Sequence, residues 1–165
     1  MGLLSFIKEA GEKLFSKGPA QAAMTAAQAD PSSADKAKAA NDAAADAILA
    51  YIENQGLKAT GLTVTYDGTT ATVFGVADSQ ATKEKIVLCC GNVQGVAAVN
   101  DKMSVDQSAE EAKYYTVVKG DTLSKISKQY YGDPNKYPAI FEANKPMLKS
   151  PDLIYPGQML RIPPQ

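Results

Sequence analysis

The sequence has no histidine, no tryptophan and only two cysteines, adjacent at Cys89 and Cys90. Without histidine there is no imidazole base for a hydrolytic triad and no imidazole ligand for zinc. Two thiols are too few for a four-thiolate metal site, and neighbours in sequence cannot staple distant segments. Neither sign of charge dominates: 17 Lys and Arg against 18 Asp and Glu leave a net charge of −1. Such a surface displaces few counterions from phosphates, so nucleic acid is not an expected partner. No run approaches 18 apolar residues, so no transmembrane segment is expected. The opening Met1-Gly2-Leu3-Leu4-Ser5-Phe6-Ile7 is a short apolar run followed at once by Lys8, Glu9 and Glu12. It lacks the basic start and length of a secretory signal, and Phe6 breaks the myristoylation pattern. With two thiols, this predicts a cytoplasmic protein.

What is present falls into unlike stretches. The 165 residues suit one domain or two very small ones. Leu3, Ile7, Ala10 and Leu14 recur at helical spacing, so residues 1–16 read as an N-terminal amphipathic helix, with Gly11 in its middle marking a break or a close backbone approach. Residues 19–47 hold 14 alanines in 29 positions and almost no large apolar side chain, and 17–40 reads as a linker, partly helical or mobile. From Asn41 a helix carries Ala44, Ile48, Tyr51 and Ile52 to Gly56. Leu62, Val64 and Tyr66 alternate, Asp67-Gly68 predicts a type I′ turn, and Ala71 and Val73 alternate back. Asp78 or Ser79 caps a helix to about Cys90, and 96–105 reads as a third strand. Residues 41–106 are thus α-β-β-α-β, and 107–113 a polar hinge. Beyond residue 110 lie six of the eight tyrosines and seven of the nine prolines, a composition boundary. Residues 114–165 read β-α-α-β, with Pro138 confined to the first turn of its helix. The fold class is α+β, two small modules behind an N-terminal helix.

The ordered run Tyr115-Thr116-Val117, Gly120-Asp121-Thr122-Leu123, Tyr131-Gly132-Asp133, Asn144, Ile154-Tyr155-Pro156-Gly157-Gln158 and Leu160-Arg161-Ile162-Pro163 resembles a LysM module. Residues 42–106, with Gly91-Asn92-Val93-Gln94-Gly95-Val96, resemble a BON domain. With Met1-Gly2-Leu3 and Lys8-Glu9-Ala10-Gly11-Glu12-Lys13-Leu14 in front, the chain resembles the bacterial cytoplasmic potassium-binding BON–LysM proteins.

That resemblance implies a potassium ion held by the backbone oxygens of Ile7, Ala10 and Glu12 and of Gly91, Val93 and Val96. The chemistry is permitted: potassium is held by carbonyls elsewhere, and a helix C-terminus leaves carbonyls unpaired at the negative end of its dipole. Read without the resemblance, the same glycines are an ordinary helix cap. The implied role is an intracellular potassium sensor or buffer that tightens on binding. LysM modules elsewhere bind N-acetylglucosamine glycans, and the matching groove would be Gly120, Asp121, Thr122, Leu123, Ile154 and Tyr155, the rival reading being an envelope adaptor. Cys89 and Cys90 read as small buried apolar groups, with Lys85 the one basic neighbour. No catalytic constellation is found, so no enzyme is expected. A monomer is expected, and a protein partner is left open.

Overall fold

In the computed structural model, which describes residues 2–165, the first element is a strand. Strand β1 (Leu3–Ser5) is followed by a non-helical stretch to a single 3-10 turn at Leu14–Ser16. The amphipathic helix expected here is corrected. Leu3, Leu4 and Ser5 pair with Asn100, Val99 and Ala98, which satisfies an open sheet edge. Gly11 sits at φ +110, outside right-handed helical geometry. Met1, part of the opening motif, lies outside the described residues.

Of the two readings of the alanine-rich stretch, partly helical or mobile, the structure shows helix. Helices α1 (Gly18–Ala29) and α2 (Ala34–Asn54) pack together, with Ala20, Ala40, Ala44 and Ala45 buried. Small side chains let the two backbones approach, so tertiary contact replaces the missing large apolar face. Ser33 caps α2 by accepting from the Lys36 amide.

Strands β2 (Thr60–Tyr66) and β3 (Thr70–Ser79) form the hairpin. Its turn is not type I′, because only Gly68 has positive φ and Asp67 does not. Instead the Asp67 carboxylate accepts from the Thr69 and Thr70 amides, which holds it below the usual carboxylate range. Helix α3 (Gln80–Gly91), capped by Ser79, crosses over to β4 (Ala98–Gln107), which runs parallel to β3. The sheet order is β1-β4-β3-β2. Helices α2 and α3 cover one face, over a core of Ile48, Ile52, Val73, Ile86, Cys90, Val99 and Met103.

The second module pairs β5 (Lys113–Thr116) with β6 (Met159–Ile162) around α4 (Leu123–Tyr131) and α5 (Tyr137–Ala143). Thr122 caps α4, Gly132 ends it at φ +72, and Pro138 falls in the first turn of α5. Its core is Leu123, Ile126, Ile140, Leu148, Leu160 and Ile162. Among the described residues, no helix is long and apolar enough to cross a membrane.

Candidate ion ring between the N-terminal segment and the 91–97 loop

Because β1 starts the chain at the edge of β4, residues 6–12 are carried past the end of α3. There they are stitched to the loop that follows the helix. The Phe6 amide donates to Ala97 O (2.8 Å), Gly95 N to Lys8 O (2.7 Å), Gln94 N to Glu12 O (2.9 Å) and Glu12 N to Asn92 O (2.9 Å). The Gln94 side-chain amide adds a bond to Glu9 O (3.0 Å).

All six residues expected as ligands are therefore brought into one region. Ile7 O accepts from the Ala10 amide (3.1 Å), Glu12 O from Gln94 and Leu14, and Val93 O from Val96 (3.0 Å). Among the described residues, no amide donates to the carbonyls of Ala10, Gly91 or Val96. Gly91 is the last residue of α3, so its unpaired carbonyl lies at the negative end of the helix dipole, where a cation is favoured. The Glu12 side chain is exposed, and among the described residues no three acidic or thiol groups gather as a metal cluster. The oxygen donors offered here are neutral main-chain carbonyls, a donor set that suits a large, weakly hydrated monovalent ion.

Three glycines hold the backbone in this shape. Gly11, at φ +110, leaves no space for a Cβ against the Asn92 and Val93 backbone. Gly91 is not the helix cap of the plain reading: it is the last residue of α3, the cap is Asn92 at φ −83, and Gly91 is required because a Cβ would collide with the Phe6 ring. Gly95, at φ +108, lies under Phe15, and the Tyr66 hydroxyl donates to its carbonyl at 2.6 Å. The Phe15 and Tyr66 rings pack against one another at a tilt of 51°, their centroids 5.3 Å apart.

The second module reaches the ring on two sides. Gly157 presses against Ala10, where a Cβ would come within 2.6 Å of the alanine methyl. Buried Asn92 accepts from the Met159 amide and donates to the Met159 carbonyl, both at 2.8 Å. Sequence reasoning missed Asn92, although it stands inside the quoted Gly91–Val96 run; an asparagine beside a glycine at a helix end was its one visible signal. Tyr155, expected in the glycan groove, is drawn to this side, where burial and then the Glu12 carboxylate push its phenol up to about 12. Tyr51 is raised by burial, then by Cys89, Glu12 and Tyr155. Burial pushes the Cys89 thiol up to about 12 and Cys90 well above the ordinary value, leaving both as inert apolar groups.

Of the remaining groove residues, Asp121, Thr122, Leu123 and Ile154 line a cleft of 340 Å³ with Ser124 and Tyr137, while Gly120 lies outside that lining. Asp121 is committed within the module, accepting from the Tyr115 hydroxyl (2.6 Å) and the Val118 amide (2.9 Å).

Comparison with known proteins follows these divisions. The family model described as BON domain matches residues 40–107, and that described as LysM domain matches 115–163. The chain is 44% identical over 164 residues to a protein of Escherichia coli O6:H1 named "Potassium binding protein Kbp", covering 99% of each chain. It is 37% identical over 131 residues to an uncharacterized protein of Deinococcus radiodurans, covering 72% of this chain and 51% of the other. A 65-residue stretch is 40% identical to the uncharacterized protein YqbP of Bacillus subtilis, covering 34% of this chain and 30% of the other.

Proposed function

Because this chain belongs to the family of the E. coli potassium binding protein Kbp, with a BON domain followed by a LysM domain, we propose that it binds potassium selectively and reversibly. The observation that carries this reading is the stitched ring of residues 6–12 and 91–97, with unpaired carbonyls on Ala10, Gly91 and Val96. In this reading those three, with Ile7, Glu12 and Val93, are the ligands. The role is that of a cytoplasmic sensor or buffer, a binding protein and not an enzyme. The ion draws the N-terminal segment, the loop and the LysM turn together, since a ligand stabilises the state that binds it.

Selectivity follows from neutral donors at fixed spacing rather than from charge. Potassium is expected to raise the melting temperature at concentrations where equal sodium does much less, read by thermal unfolding in the two chlorides. Equal shifts would reduce the effect to ionic strength.

The second reading, a glycan-binding envelope adaptor, rests on the cleft of Asp121, Thr122, Leu123 and Ile154. Chito-oligosaccharide titration followed by chemical-shift change at those residues tests it.

A further inference from the structure

We infer that Asn92 is the positioning residue that couples the ion ring to the second module: its backbone shapes the ring, and its side chain fixes the LysM strand β6. The inference rests on the potassium reading above. Asn92 is 3% exposed, and its polar atoms serve three separate parts of the molecule. Its amide donates to Leu88 O (2.9 Å) and closes α3. Its carbonyl accepts from Glu12 N and holds the N-terminal segment. Its carboxamide pairs with both backbone groups of Met159 in the manner of a short ladder.

The Met159 pairing needs a side chain that both donates and accepts. Aspartate has no donor for the Met159 carbonyl, and leucine leaves a buried amide and carbonyl unpaired. The chain neighbours of Asn92 are Gly91 and Val93, two of the proposed ligands. A shift of β6 is therefore felt at those carbonyls through one residue. On the opposite flank Gly157, two residues before Met159, bears on Ala10, so the same LysM turn touches both halves of the ring. Coupling between two equilibria is reciprocal: if potassium favours docking of the module, docking favours potassium by the same factor.

The test uses the full chain and its Asn92→Ala and Asn92→Ser variants. Potassium affinity is measured by calorimetry. Module docking is measured by Förster transfer between dyes at two exposed positions, Ser104→Cys and Lys136→Cys, the native thiols being buried. Asn92→Ala is expected to weaken potassium binding roughly fivefold or more and to remove the potassium-dependent change in transfer. Asn92→Ser gives the same direction and replaces Asn92→Ala if circular dichroism shows that the alanine variant is unfolded. A tie that is only structural would lower transfer at every potassium concentration and leave affinity unchanged; that result overturns the inference. A wild type that binds potassium beside an Asn92→Ala that binds equally well overturns this inference alone. A wild type that binds no potassium overturns the proposed function, and this inference with it.

Discussion

Gly91 has no room for a side chain, since a Cβ there would fall inside the ring of Phe6, a residue 9% exposed in the main core. Gly91→Val therefore forces Phe6 out or α3 back, an overpacking that costs about 3 kcal/mol. Glu12 contributes its backbone to the ring and leaves its carboxylate in solvent. Glu12→Gln is thus expected to weaken potassium binding by only about fivefold, the size of one screened charge near the surface. Gly91→Val is expected to abolish binding and lower the melting temperature. Potassium calorimetry of both, with circular dichroism to confirm folding, checks the order; a normal Gly91→Val beside an inactive Glu12→Gln would favour a carboxylate site over a carbonyl ring.

The phenols near the ring give a pH dependence of definite sign. Burial raises Tyr66 and Tyr155 to about 12, above the ordinary value near 10, so the folded state prefers the neutral phenol. Their contribution is whole below pH ~10 and is lost as pH rises from there toward ~12. Urea midpoints are expected to hold steady between about pH 7 and 9.5 and to fall above about pH 10. Tyr155→Phe is expected to flatten that fall, measured as the slope of unfolding free energy against pH.

Among the elements, β1 changes most between sequence and structure. Its apolar residues fit a helical period, yet a three-residue strand wins because β4 offers an unpaired edge and Gly11 bends the chain out of helical space. Nothing within residues 1–16 announces that edge; it lies almost a hundred residues away. The alanine-rich helices are hidden for a similar reason, since each depends on the other's small side chains. Elements whose signals are local were legible: a helix cap at Asp78 or Ser79, which falls on Ser79, the first-turn Pro138 and the alternation in β2 and β3. The implied ligand residues fall together, whereas Asn92 and Phe6 acquire their roles only through contacts distant in sequence. Deletion of residues 2–12 now carries a double consequence. It removes half the ring, and it strips β1 from the sheet and Phe6 from the core. The truncated protein is expected to lose its potassium response and to melt at lower temperature than the full chain without potassium. Differential scanning calorimetry with and without potassium reads both; a retained response would show that residues 7–12 supply no ligand.

The two modules meet through buried charge as well as through the ring. Arg161 on β6 donates from Nε to Glu84 on α3 at 2.7 Å, and Glu84 also accepts from Gln80 and from the Ala112 amide just before β5. Asn144 pairs with the Arg161 backbone, Nδ2 to O at 2.8 Å and N to Oδ1 at 2.7 Å, repeating further along the same edge of β6 the arrangement that Asn92 makes with Met159. An ion pair this deeply buried is weak evidence of stability by itself, but an arginine without its glutamate would be costly, so the pair fixes one docking geometry over its alternatives.

The ring is expected to assemble late in folding. Its bond from Gln94 to Glu9 O spans 85 residues, and that from Asn92 to Met159 spans 67. Contacts of such separation wait for long loops to close, after the local helices and the hairpin have formed. Interactions absent from the folding transition state act on the reverse rate. Potassium is therefore expected to slow unfolding while leaving the refolding rate nearly unchanged, the separation to be read in stopped-flow chevrons with and without the ion. In kinetic terms the ring is a latch: it sets how long the native state lasts and has little part in how fast it is reached.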